Sequence, residues 1–247
     1  MGGDIPRFAH IPLIHGQDGA KLSKRHGALS VEHYKEEGYL ADAINNYLLR
    51  LGWSHGNDEI ISRNQAVEWF NTKNMGKAAA KMNFDKMLNL NAHYIKHTNN
   101  IDLVALLKPL LSRKKLYNEL KLPLLERGLS SLKTRAKTLV ELVEKSFFYV
   151  VEAKDLDLTL EAQTIVDNLA EGFLNTIRIE IESIQDWDGD IIKEQIKTFA
   201  AKHDKKLKDI MQPLRAVLTG STDSPSVFEI MTILGKEETL MRLSLSL

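Results

Sequence analysis

The sequence predicts a mainly α-helical protein. Three observations carry this expectation. Apolar residues recur at spacings of three and four along most of the chain, cap residues punctuate the stripes, and no convincing sheet pattern follows residue 30. Apolar residues make up 43% of the 247 positions, enough for a buried core in one large or two ordinary domains.

The elements follow in order. "RFAHIPLIHG" is broken by Pro6, Pro12, Gly16 and Gly19 and reads as an extended segment leading into a basic loop, "DGAKLSKRHGA". Ser30 can cap a short helix ending at Gly38. Leu40, Ile44, Tyr47, Leu48 and Leu51 then form the stripe of an amphipathic helix stopped by Gly52. Ser62 with Gln65 is a capping-box signature for a helix bearing Val67 and Phe70. "FDKMLNLNAHYI" continues in helical style, and Asn99 caps a helix whose Leu103, Leu106, Leu107 and Leu110 share one face. Leu132, Ala136, Leu139, Val140, Val143 and Phe147 line another, followed by Ile192, Ile196 and Phe199, then Leu207, Ile210 and Met211. Pro213 suits the first turn of a further helix ended by Gly220. Ser226 with Glu229 is a second capping box, for a helix running to Leu234 and Gly235.

Charge is balanced overall, 33 basic against 33 acidic residues, so any nucleic-acid signal must be local. Residues 113–137 hold eight basic and two acidic side chains, whereas residues 152–194 hold twelve acidic and three basic. The first zone is what a phosphate backbone requires, although solvated helix faces have the same composition. There is no cysteine, and an intracellular protein is the natural reading. No apolar run approaches the ~18 residues of a membrane span, and no signal peptide is recognisable. Gly-rich phosphate loops, HExxH and nucleophile elbows are missing. His10, His15, His26 and His33 have no zinc-site spacing on a helix, so no metal site is expected. Asp186, Asp188 and Asp190 are explained by turn formation.

The basic loop remains. "PRFAHIPLIHGQDGAKLSKRHGAL" resembles the segment carrying the KMSKS-type signature of class I aminoacyl-tRNA synthetases, in the form of bacterial glutamyl-tRNA synthetases. "VEHYKEEGYLADAINNYLLRLGWS" is similar to that family's next segment, and "FDKMLNLNAHYI" to its stem-contact helix. "MQPLRAVLTGSTDSPSVFEIMTILGKEETLMRL" resembles its extreme C-terminus. The resemblance implies the end of a catalytic half over residues 1–30, a stem-contact domain over 31–115 and an all-α anticodon-binding helical cage over 116–247. It implies ATP and Mg2+ as requirements of a parent enzyme that joins glutamate to tRNA through a glutamyl-adenylate. Its implied setting is cytoplasmic and monomeric. The HIGH-type motif and glutamate pocket of the family are missing, so a C-terminal fragment is expected, with Met1 introduced or fortuitous. Such a fragment would be inactive alone, hold no cofactor and bind tRNA.

By position in the motif, Lys24 is the catalytic candidate, and Lys21, Leu22, Ser23, Lys24 and Arg25 are the ATP-binding candidates. A lysine there places a point charge against the triphosphate as pyrophosphate departs. The family's anticodon contacts fall on Arg215, Ser224, Pro225, Val227 and Phe228. Gly220 frees the chain to turn and Pro225 stiffens the loop, while Arg215 brings a planar donor and Phe228 an aromatic face. Arg135 is a further candidate for reading the third anticodon base, and is equally readable as an exposed helix residue or a phosphate contact. The cognate is glutamate tRNA, with glutamine tRNA left open. A stand-alone helical RNA-binding or scaffold protein is the alternative, against which the basic loop speaks; an enzyme that glutamylates a tRNA base is disfavoured because those enzymes resemble the catalytic half alone.

Overall fold

The computed structural model describes residues 8, 10–23, 30–114 and 117–246. Among them are thirteen α-helices and one two-stranded sheet. The chain divides into two compact units, Met1–His97 with Lys137–Val140, and Thr98–Ala136 with Glu141–Leu247.

In the first unit, β1 (Ile14–His15) pairs in parallel with β2 (Ala80–Lys81), a short strand later in the chain than any sheet the sequence pattern indicated. Residues 16–20 form a tight turn in which Gly16 N donates to Ala20 O at 2.9 Å. Gly19 occupies φ +83°, which costs a glycine little. The helices are α1 (Val31–Glu36), α2 (Ala41–Gly52), α3 (Arg63–Trp69) and α4 (Phe84–His97). Tyr34, Ile44, Tyr47, Met82, Met87 and Leu90 form a core on which Ile14 and Leu22 pack. The Asn91 side chain is buried and satisfied: its Oδ1 accepts from Leu40 N at 2.8 Å, and its Nδ2 donates to Gly38 O and Lys137 O.

The expected Ser62–Gln65 capping box is present, with Gln65 N donating to Ser62 Oγ and Ser62 N to Gln65 Oε1. The face of that helix differs from expectation: Val67 is 78% exposed and Phe70 50%. Leu48 of the α2 stripe is also exposed.

In the second unit, α5 (Asn100–Leu111) packs on α6 (Leu122–Leu132). This pairing places α5 in the second unit, which begins at Thr98. Asn99 caps α5 as expected, but its buried stripe is Leu103, Leu107 and Leu111, and Leu106 faces solvent. The continuous face expected from Leu132 to Phe147 is split between α6 and α7 (Leu139–Ser146). The chain between them is diverted by a tertiary contact: Leu139 N donates to Gly38 O, and a Cβ on Gly38 would lie 2.7 Å from Leu139 N.

Beyond α7 come α8 (Leu160–Asp167), α9 (Phe173–Ser183), α10 (Gly189–Lys202), α11 (Leu207–Thr219), α12 (Val227–Leu234) and α13 (Lys236–Leu245). Asp188 caps α10 through Asp190 N, in keeping with the turn reading of that acidic group. α8 packs on α11, α9 on α13, and α10 on α12. Pro213 lies inside α11 instead of opening a new helix. An interior proline costs ~3 kcal/mol, and burying Ile210, Leu214 and Val217 at ~1.5–3 kcal/mol each outweighs it. No described helix is long and apolar enough to cross a membrane.

Candidate nucleic-acid interface

Two segments hold the residues singled out by the sequence. In the turn after β1, Lys21 forms a bridge with His15 and is exposed, as is Ser23. Leu22 N donates to Ile14 O at 2.9 Å, and its side chain packs on the first unit's core. Lys24 and Arg25 lie outside the described residues.

The second segment is the loop between α11 and α12. α11 ends at Gly220 with φ +72°, and a Cβ there would stand 2.3 Å from Asp157 O. Only glycine satisfies both the left-handed conformation and the close approach. Thr159 N donates to Gly220 O at 2.8 Å and fixes the loop's first residue. The Thr219 hydroxyl lies 2.8 Å from Arg215 O and accepts from Ser221 N; Asp223 N donates in turn to Ser221 Oγ. The Thr219 and Ser221 hydroxyls thus brace a main-chain turn at the start of this loop.

Asp223 draws two cations to this loop from distant sequence. Arg135 Nη1 donates to it at 3.0 Å and Lys145 Nζ at 3.2 Å. The Lys145 hydrogen bond, then the charges of Lys145 and Arg135, hold the Asp223 carboxyl below its usual range. The fold therefore brings Arg135 to the loop that carries the other anticodon candidates. Lys145 and Asp223 were not singled out by the sequence, and no local pattern links them across 78 residues.

The remaining candidates divide by burial. Arg215 is half-buried, and its Nε is buried with no hydrogen-bond partner among the described residues. Ser224, Pro225 and Val227 are buried, so they offer main chain more than side chain; Phe228 is half-buried. The capping box expected at Ser226 does not form: Ser226 makes no side-chain cap bond and is exposed, turned outward by its buried neighbours Pro225 and Val227. Beside the loop lies a cavity of about 590 Å3 lined in part by Glu144, Asp155 and Asp157. Those carboxylates make that side of the loop unfavourable for phosphate.

Comparison with known proteins places both segments within matched family domains. Residues 1–89 match the catalytic domain of tRNA synthetases class I (E and Q), and residues 102–247 match an anticodon binding domain. The two in this order define the class, a class I tRNA synthetase. The chain is 46% identical over 244 residues to glutamate–tRNA ligase 2 of Paramagnetospirillum magneticum, covering 98% of this chain and 51% of that protein. Against glutamate–tRNA ligase 2 of Rickettsia bellii it is 43% identical over 245 residues, covering 99% and 53%. A crystal structure of a glutamate tRNA ligase from Elizabethkingia meningosepticum in complex with its amino acid superposes with a TM-score of 0.79 at 26% identity, over 98% of this chain and 51% of that one. The chain belongs to the glutamate–tRNA ligase family. It spans about half the length of the curated relatives it matches.

Proposed function

We propose that this chain is the tRNA-binding half of a cytoplasmic, monomeric glutamate–tRNA ligase, which joins L-glutamate to tRNA through an ATP-dependent glutamyl-adenylate. The observation that carries this reading is the braced α11–α12 loop, surrounded by Arg215, Arg135 and Lys145 within the residues that match an anticodon binding domain. Unstacked anticodon bases are read by planar donors and by main-chain groups of fixed geometry. Arg215, half-buried on α11, supplies the first. Residues 220–226 supply the second. Arg135 is engaged by Asp223, so tRNA must compete with that carboxylate for it.

Residues 1–30 would close over ATP in the full-length enzyme, with Lys21, Ser23, Lys24 and Arg25 against the triphosphate and Lys24 nearest the departing pyrophosphate. Positive charge at that place acts mainly in the transition state. Residues 31–115 would contact the tRNA stem. The Mg2+ implied by the family would be carried by the nucleotide's phosphates, the usual way this ion is bound with nucleotides.

Arg215→Ala tests the reading. It should weaken binding of glutamate tRNA by ~1–3 kcal/mol, the cost of one base contact, and reduce discrimination against an anticodon-swapped tRNA. Fluorescence titration of both tRNAs at two salt concentrations separates a base contact from a phosphate contact. Equal losses for the two tRNAs refute the base-reading role. Binding without discrimination by the unaltered chain would favour a general RNA-binding protein.

A further inference from the structure

Asp223 puts a carboxylate into the α11–α12 loop, where a polyanion is expected to dock. Its backbone is tied down, because Asp223 N donates to Ser221 Oγ at 3.1 Å. Its two oxygens serve different cations. Oδ1 accepts from Arg135 Nη1 at 3.0 Å, and Oδ2 from Lys145 Nζ at 3.2 Å. Arg135 lies in the connection between α6 and α7, and Lys145 near the end of α7, so both reach the loop from the same stretch of chain. Asp223 is 67% exposed, and ion pairs as exposed as these add little to stability. Stability is therefore a poor reason for a negative charge at this place.

The two cations differ in what they can leave for. Lys145 depresses the Asp223 carboxyl more than Arg135 does. Arg135 meets the carboxylate through one amino group of a guanidinium that has five N–H donors. Its planar fork suits the edge of a base, whereas the Lys145 ammonium is a point charge suited to phosphate. Arg135 can thus leave for a base edge while Lys145 keeps Asp223 paired. Binding through phosphates alone draws away both cations. Asp223 is then unpaired at the cavity that Glu144, Asp155 and Asp157 also line, and their like charge raises the cost.

We propose that Asp223 is a specificity-determining residue, which withholds Arg135 and Lys145 from RNA backbone and releases Arg135 to a matching anticodon base. The proposal rests on the anticodon-reading function above. Asp223 touches no base and acts through the two cations, so it is a positioning residue. Its effect is to weaken the binding of RNA that offers phosphates without the right base.

The test uses the 247-residue chain and its Asp223→Asn and Asp223→Glu variants. Each is titrated across a salt series with a glutamate tRNA transcript, an anticodon-swapped transcript and a single-stranded oligouridine. Asp223→Asn should tighten binding of the swapped transcript and the oligouridine by roughly 2–5-fold, the range for an exposed ion pair, and steepen their salt slopes by about one unit. Glutamate tRNA should gain less, so discrimination falls. Asp223→Glu keeps the charge and should keep the discrimination of the parent chain. A merely structural role would weaken all three RNAs together and lower the melting temperature followed by circular dichroism, and that result would overturn the proposal. Weakened binding of glutamate tRNA alone would make Asp223 a direct base contact and overturn it too, as would an unchanged affinity and slope for oligouridine. Should the unaltered chain show no preference for glutamate tRNA, the anticodon-reading function is refuted, and with it the release of Arg135 to a base. Tighter oligouridine binding by Asp223→Asn would in that case still establish that the carboxylate withholds the two cations.

Discussion

Arg242→Met should destabilise the second unit by about 3–5 kcal/mol, the range for breaking a buried ion pair from one side. Arg242 is 1% exposed, and desolvation pulls its guanidinium down while Glu238 opposes that effect. Its Nη1 donates to Leu218 O and its Nη2 to Phe148 O at 2.8 Å, while Nε and Nη2 reach Glu238 Oε1 at 2.9 and 2.8 Å. The last carbonyls of a helix lack partners within it, so the side chain closes the end of α11 just before the candidate loop. Methionine keeps much of the stem volume but leaves two carbonyls without that donor, at ~1–3 kcal/mol each. Glu238 retains Lys121 at 3.1 Å, which holds the loss toward the lower end. At ~2–4 °C per kcal/mol for a unit of this size, ~3 kcal/mol corresponds to roughly 6–12 °C. Two units need not unfold together, so the measurement is hydrogen exchange resolved by peptide. Peptides of α11 and α13 should lose protection and those of α2 and α4 should not. A loss below ~1 kcal/mol in α11 and α13, or an equal loss in both units, would refute the reasoning.

Two further outcomes follow from the same unit. A Cβ on Gly128 would stand 2.1 Å from Tyr149 Cε2, and Tyr149 is fully buried, so Gly128→Ala should cost ~1–3 kcal/mol through overpacking; a urea midpoint equal to that of the parent chain would contradict this. Asp223 should titrate below the usual carboxylate range when its side-chain carbon is followed by NMR. Because its folded pKa is depressed, its contribution is full above that range and fades as pH falls through the lowered value. With Asp223 largely exposed that contribution is small, and a midpoint at or above the usual range would discount the Arg135 and Lys145 contacts.

Local features were legible in the chain itself. The Ser62–Gln65 box, the Asn99 cap, the α10 stripe of Ile192, Ile196 and Phe199, and the glycine at position 220 each act within a turn or two of backbone, and the structure contains all four. Membership of a tRNA ligase family was legible for a different reason: several segments spread along the chain resemble it in family order. Other features depend on free-energy comparisons between distant groups. Pro213 would end a helix on its own, and remains inside α11 because tertiary burial of its neighbours outweighs the lost hydrogen bond. The stripe from Leu132 to Phe147 continues on paper, yet the chain breaks where Leu139 meets Gly38. Arg135 had several readings of equal standing until Asp223, 88 residues away, placed it beside the α11–α12 loop. Arg242 and Arg50 look like ordinary surface arginines in sequence, since burial and a missing partner belong to no local pattern. The sequence alone determined periodicity, caps and kinship, because these are short-range or cumulative signals. Only the tertiary structure decided which charges are buried, paired or unpartnered, because desolvation and ion pairing depend on distance in space.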